Sequence, residues 1–308
     1  MSRDDVIDVT GLEKRFGALA AVDGLDLRVA EGEVHGFLGP NGAGKSTTIR
    51  VLLGLYRATA GRVRVLGLDP ASSAARLNRR VSYVPGEVNL WPNLTGQEVL
   101  DALAGLRGAR DVAAERRLVA DFALDVRKRV RAYSKGNRQK VILIAALAAP
   151  TDLLVLDEPT SGLDPLMEEL FQRCVREAAA AGRTVLLSSH ILAEVEDVCA
   201  SVSIIKDGRL VEAGRLSDLR HLAASEVTAR FGADRAFAAV AAGLDSLGLA
   251  VDGPEGPAAD GHRVRLSVPR DLVPATLGLL ASADAEDITC TPARLEDLFL
   301  RHYRGEAR

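Results

Sequence analysis

The chain has 308 residues, a net charge of −3 and an ordinary globular balance of 47% hydrophobic to 26% charged side chains, a length that suggests about two domains. Its longest apolar runs, such as VILIAALAA, reach only about half of the roughly 20 residues that a membrane-spanning helix needs, and MSRDDVIDV lacks the apolar stretch of a signal peptide. Cys174, Cys199 and Cys290 are too far apart for a metal-ligand pattern and read as reduced thiols, and the charge balance supplies no global field for nucleic acid or an anionic membrane.

In chain order, VIDVTGL and LDLRVA read as strands, and GEVHGFLGP as a short apolar strand running straight into a glycine loop. KSTTIRVLLGL has helical spacing, and GRVRVLG and VSYVP are strands again. From about residue 87 to 150 the pattern is mostly helical, with GQEVLDALAGL and ERRLVADFAL as its clearest stretches. DLLVLDE and RTVLLSSH are short apolar strands with a helix between them, and VSIIKDGRLVEAG predicts a hairpin turning at Asp-Gly. Strands alternating with helices predict an α/β core with a helical insertion. Past residue 222 lysine disappears and 13 acidic residues stand against 9 arginines. There EVTARF and HRVRLSV read as strands, DGPEGPAADG as a polar loop, and two further stretches as helices. The expectation is a first domain over 1–222 and a small α+β domain over 223–308.

Three motifs carry chemistry. GPNGAGKST, spanning Gly39, Pro40, Asn41, Gly42, Ala43, Gly44, Lys45, Ser46 and Thr47, fits the phosphate-binding pattern G-x-x-x-x-G-K-[ST] between a strand and a helix. Its glycines let backbone N–H groups wrap phosphates, Lys45 reaches the β- and γ-phosphates, and Ser46 offers a hydroxyl to Mg²⁺. LLVLDEPTSGLD ends a strand on Asp157 and Glu158, one carboxylate suited to Mg²⁺ and the other to polarising a water. LLSSH ends another strand on His190, within reach of a γ-phosphate in the same chain order. A fourth stretch, RAYSKGNRQK, sets Ser134, Gly136 and Asn137 just ahead of an apolar helix, a second start of the kind that binds anions.

Together these motifs resemble the ATP-binding cassette (ABC) family of transporter ATPases over residues 5 to about 220. The resemblance implies the P-loop NTPase core of the ABC type, an antiparallel β subdomain, a helical subdomain over about 87–150, and ATP hydrolysis with Mg²⁺. YSKGN occupies the place of the family's signature, usually Leu-Ser-Gly-Gly-Gln, which completes the ATP site of a second subunit. Two phosphate-facing helix starts per chain then mean two shared sites in a head-to-tail homodimer, with Ser134 and Gly136 facing the γ-phosphate. Tyr133, Lys135 and Asn137 depart from the usual residues. On the same resemblance Phe16 stacks on adenine and Asp164 crosses the dimer interface, while Glu158, His190 and Lys45 are catalytic. VPGEVNLW carries Gly86 where the family has a glutamine, with Glu87 beside it.

The ending ARLEDLFLRHY after a small domain resembles the ATPase subunits of bacterial ABC-2 type exporters, which implies a drug or other small molecule as cargo. The chain is then expected on the cytoplasmic face of the membrane, bound to a separate permease. The basic run Arg127, Lys128, Arg129, Arg131, Lys135, Arg138 and Lys140 has Tyr133 as its one interleaved aromatic and reads as a face near phosphates, not as a nucleic-acid surface. The rival readings are an ABC-type switch acting on ribosomes or DNA, whose members usually carry two cassettes or long insertions, and an importer subunit, which the partner's identity alone would distinguish.

Overall fold

In the computed structural model, residues 5–222, 225–231, 240–241, 243–249, 252–258 and 261–291 are described. The chain opens with β1 (Asp5–Phe16), β2 (Leu19–Ala30) and β3 (Val34–Leu38), enters α1 (Lys45–Leu52), and continues through β4 (Ala60–Val65), α2 (Pro70–Leu77) and β5 (Val81–Val84). Three helices follow: α3 (Gly96–Arg107), α4 (Val112–Asp121) and α5 (Lys135–Leu147). Then come β6 (Leu153–Asp157), α6 (Pro165–Ala180), β7 (Thr184–Ser189), α7 (Leu192–Glu196), β8 (Ser201–Lys206) and β9 (Arg209–Arg215).

Two sheets share one core. The first is three-stranded and antiparallel in the order β2-β1-β4, and the second is six-stranded in the order β5-β6-β7-β3-β8-β9. All pairs of the second sheet are parallel except the closing β8–β9 hairpin. Its β3, β6 and β7 are short apolar runs buried at every position, as a parallel sheet covered on both faces requires. The core runs without a break from Ile7, Leu12 and Leu25 of the antiparallel sheet through Ile49 of α1 to Phe37, Val155 and Leu186. Each such side chain contributes about 1.5–3 kcal/mol by leaving water, so the loops at the carboxyl ends of β3, β6 and β7 stand on a rigid base.

The helices start where their sequences cap them. Thr95 and Glu98 form a reciprocal capping box on α3, Asp111 caps α4, Ser134 caps α5, and Asp164 followed by Pro165 caps α6. α5 is buried along eight of its residues, including Val141 to Leu147 without interruption, so this helix cannot move without repacking.

The chain divides into two compact units, Met1–Arg215 and Leu216–Arg308. The second begins with α8 (Leu216–Leu222) and contains β10 (Ser225–Phe231), β11 (Asp252–Ala258), β12 (Gly261–Val268), a helix over Val273–Ser282 and β13 (Glu286–Thr291). Its sheet is antiparallel in the order β11-β12-β10-β13, over a core that includes Val227, Phe231, Leu244, Leu266 and Leu280. One expectation is corrected here. The segment DGPEGPAADG is not a loop throughout, because Asp252–Ala258 pairs with β12 as an edge strand. Edge positions tolerate proline, whose missing N–H would interrupt a central ladder, so the two prolines disguised a strand. The ending ARLEDLFLRHY lies outside the described residues.

Candidate functional site

The loop between β3 and α1 is shaped by its glycines. Gly42 and Gly44 have φ of 82° and 102°, a left-handed backbone that other residues adopt at a cost. At Gly44 a side chain would also meet the Ala21 carbonyl at 2.5 Å, so the loop lies directly on β2. The β8–β9 turn packs over it. Asp207 and Gly208, with φ of 50° and 78°, make the hairpin turn that Asp-Gly encodes, and Gly208 donates its N–H to the Ala43 carbonyl at 3.0 Å.

Lys45 is buried, and its Nζ donates to the carbonyls of Gly39 (2.6 Å) and Pro40 (3.1 Å), filling the loop with its own ammonium. Glu158 Oε1 stands 3.6 Å away. Burial pulls the Lys45 ammonium below its ordinary value, against the pull of Glu158 and Asp157, which favour its charge. Glu158 itself has a φ of 47°, unusual for a residue with a side chain, and its N–H donates to the Ser188 carbonyl at 3.1 Å. His190 Nδ1 lies 3.4 Å from the same Oε1. Asp157 is buried and accepts from the Ser188 hydroxyl at 2.5 Å, which orients its other oxygen.

Lys45 and Glu158 meet at one open cavity of about 520 Å³, whereas Gly39, Ala43, Asp157 and His190 are not among the residues lining it. Phe16, Pro40, Asn41, Gly42, Gly44, Lys45, Ser46, Thr47 and Glu158 all line it, as do Ala21, Asp207 and Gly208. The Phe16 ring is 44% exposed, with the Lys14 ammonium 4.7 Å from its centroid and the edge of Tyr56 packed against it at 5.4 Å, so it is held as a platform at the rim. Ser134, Gly136, Asn137 and Asp164 are not among the residues lining this cavity. They lie near one another instead: the Gly162 carbonyl fills the space where Gly136 would carry a side chain, Asn137 donates its N–H to the Ser134 hydroxyl at 3.2 Å, and Asp164 caps the next helix.

The basic run is spent largely on local bonds. Lys140 donates to the Phe122 carbonyl (3.0 Å), Arg138 to the Tyr133 carbonyl (3.1 Å) and Lys135 to the Ser161 hydroxyl (2.8 Å), while Lys128 pairs with Asp125. Tyr133 is a buried residue whose hydroxyl donates to the Asp125 carbonyl at 2.7 Å. Sequence reasoning missed Ser188, Glu194, Asp207 and Gly208. Glu194 accepts from Thr160 (2.8 Å) and Ser189 (2.6 Å), tying the loop after Glu158 to the loop that carries His190. The Asp-Gly turn was legible as a turn, but nothing local says that it forms a wall of the cavity.

A profile of the ABC transporter family matches residues 22–161, which hold both the phosphate loop and the Asp157-Glu158 strand end. Over 99% of its length the chain is 37% identical to the daunorubicin resistance ATP-binding protein DrrA3 of Streptomyces coeruleorubidus, covering 98% of that protein. The chain belongs to the ABC transporter family of ATP-binding proteins. The likeness to such proteins runs along nearly the whole chain, which is also 34% identical to the Nod factor export ATP-binding protein I of Ralstonia nicotianae over 98% of this chain and 95% of that one. The structure of an ATP-binding subunit of an ABC transporter superposes with a TM-score of 0.66 at 32% identity, over 70% of this chain and 92% of that one. A bacterial ABC transporter cassette solved as a dimer has the same fold, with a TM-score of 0.61 at 23% identity over 68% and 98% of the two chains. The family's fold is thus the two-sheet core described above, and its chemistry is the hydrolysis of ATP.

Proposed function

We propose that this ABC ATPase powers the export of a small molecule through a separate membrane permease of the ABC-2 type, docked on the cytoplasmic face of the membrane. The observation that carries the reading is the convergence of Lys45, Glu158 and His190 around one carboxylate oxygen at the mouth of the phosphate loop. Relatives along nearly the full length are named for daunorubicin resistance and Nod factor export, which supports an exporter over an importer or a ribosome-bound switch. No helix among the described residues is long and apolar enough to cross a membrane, so the reading assigns the pathway to another chain.

ATP sits in the cavity with its adenine on Phe16 and its phosphates wrapped by the backbone from Gly39 to Thr47. Lys45 exchanges its bonds to Gly39 and Pro40 for bonds to the β- and γ-phosphates, at low cost because its charge is already desolvated. Mg²⁺ fits the donor set: Asp157 is buried, its charge acts on Lys45, the neighbour of Ser46, and it presents hard oxygens, and Mg²⁺ takes one or two protein oxygens with the substrate's phosphates. Ser46 and Asp157 would hold it. When bound it neutralises charge developing on the phosphates. Glu158 positions the attacking water and polarises it, while His190 orients Glu158 and reaches the γ-phosphate.

Ser134, Gly136 and Asn137 lie outside their own chain's cavity, which supports their serving a second copy, with Asp164 at the dimer interface. Mixing Lys45→Ala chains with Ser134→Arg chains tests this. The heterodimer has one site with both lesions and one intact site, and ATPase activity above that of either variant alone is expected. Normal hydrolysis by Ser134→Arg alone would remove the shared-site reading.

A further inference from the structure

The loop that follows Glu158 is bonded directly to the start of α5 within one chain. Gln139, buried on that helix, donates its amide to the Pro159 carbonyl at 2.8 Å. Ser161 donates its N–H back to the Glu158 carbonyl at 3.3 Å and accepts the Lys135 ammonium on its hydroxyl at 2.8 Å. The aliphatic stem of Lys135 lies over Gly162, where a side chain would stand 3.3 Å from its Cδ and where the φ of +84° favours glycine in any case. Gly136, next along the helix, leaves the space that the Gly162 carbonyl occupies. Pro159, Ser161 and Gly162 are thereby set against the start of α5.

Lys135 stands where electrostatics disfavour it. It is the first residue of α5, whose first turn has no acidic side chain, and the positive end of a helix dipole repels a cation. Solvent-facing lysines usually leave such positions for water. This one folds its stem across Gly162 and gives its ammonium to a neutral hydroxyl, so its reach is fixed by the loop and not by a charge partner.

We propose that Lys135 is a positioning residue that ties the loop after Glu158 to the Ser134–Gly136 segment of the same chain and so couples the two ATP sites of a dimer. The proposal rests on the shared-site reading above. In that dimer Glu158 works at one site, while Ser134 and Gly136 complete the other. Displacement of the Glu158 backbone moves Ser161 through their direct hydrogen bond, and Lys135 passes the displacement to the helix start facing the partner's nucleotide. Gln139 anchors the loop deeper along α5, in a region too tightly packed to shift. Lys135 is the adjustable end of the link, because a long exposed side chain exchanges hydrogen-bond partners readily.

The test measures steady-state ATPase activity of the full chain against ATP concentration for the wild type, Lys135→Met, Ser161→Ala and the double variant. Methionine keeps the stem over Gly162 and removes the ammonium. The wild type is expected to respond with a Hill coefficient of about 1.6, and each variant with about 1. The double variant should match the singles, as two ends of one link do in a double-mutant cycle. Half-saturation should stay within about twofold, since the ammonium removed bonds Ser161 and does not line its own chain's cavity, and kcat should fall by about threefold. Lys135→Arg, which still reaches Ser161, should keep the wild-type steepness. A wild-type coefficient of 1, an undiminished coefficient in Lys135→Met, or additive effects in the double variant would each overturn the coupling role. Gel filtration of Glu158→Gln chains with ATP separates the two readings. If they dimerise while Lys135→Met keeps its steepness, the coupling role alone fails. If they stay monomeric, the shared site fails and the coupling role with it.

Discussion

Lys45 Nζ and Glu158 Oε1 face each other at 3.6 Å across the mouth of the phosphate loop, one from the start of α1 and the other from the end of β6. Without nucleotide each offsets part of the other's desolvation. On the proposed reading an incoming triphosphate would compete for the cation and repel the carboxylate, leaving Glu158 free to meet the attacking water.

Lys45→Ala removes the one side-chain cation that lines the cavity among the described residues, and with it the ammonium bonded to the Gly39 and Pro40 carbonyls, of which Pro40 keeps the Ala43 N–H. Affinity for a fluorescent ATP analogue should fall by about tenfold or more, since a charge-assisted phosphate contact contributes about 1.5–3 kcal/mol. An equilibrium titration with unchanged affinity would place the nucleotide elsewhere.

The resemblance puts Gly86 at the family's glutamine position, and a Cβ there would meet Asp157 at ordinary contact distances of 3.5 to 3.7 Å. Gly86→Gln should therefore fold normally. With no side chain at that position, we propose that coupling to the permease falls to the exposed surface just beyond it, where Trp91 is 48% exposed. Trp91→Ala should cut permease-stimulated hydrolysis by about threefold or more, whereas Glu87→Ala should change basal hydrolysis by less than about twofold. Loss of basal activity in Glu87→Ala with full stimulation in Trp91→Ala would instead make Glu87 the working residue.

Glu33 tests the core beneath the site. Its carboxylate is mostly buried, which pushes its pKa up, but bonds from His35 Nδ1 (3.1 Å), the Ala30 N–H (3.0 Å) and Ser201 (3.5 Å) outweigh this and hold it below its ordinary value. A carboxylate depressed by folding stabilises the protein above its unfolded pKa, and the contribution is lost as pH falls through the folded value. Glu33→Gln should unfold at a lower temperature than wild type at pH 7, and the gap should close as the pH drops below about 4. A gap independent of pH would mean that the charge contributes nothing.

Gly96 and Tyr133 are a matched pair. A side chain at 96 would collide with the Tyr133 hydroxyl and force it from the Asp125 carbonyl. Gly96→Ala should lose about 1–3 kcal/mol by overpacking and a broken buried hydrogen bond. Adding Tyr133→Leu should return part of the loss in thermal unfolding, and a purely additive loss would show the two positions to be independent.

The core and the site were legible in the sequence to different degrees. The α/β alternation and the phosphate loop could be read directly, because a parallel sheet and a glycine cradle each impose a local pattern, as at Val34–Leu38 and Gly39–Thr47. Asp157, Glu158 and His190 followed because Asp157 ends one strand of the sheet and Glu158 and His190 each stand one residue past a strand. Ser188 and Glu194 did not, since their partners lie 31 and 34 residues away and no local spacing marks them. How the chain accommodates Tyr133, where the signature usually has leucine, was not legible, because Gly96, which makes room for it, is distant in sequence. The edge strand at Asp252–Ala258 was hidden by prolines that its edge position allows.

The most direct test of the account is Glu158→Gln, which keeps the shape of the side chain and removes the charge that meets Lys45 and His190. ATP binding should persist, phosphate release should fall by about a hundredfold or more, and with ATP the chain should elute from gel filtration as a dimer. Phosphate release at the wild-type rate by this variant would contradict the account.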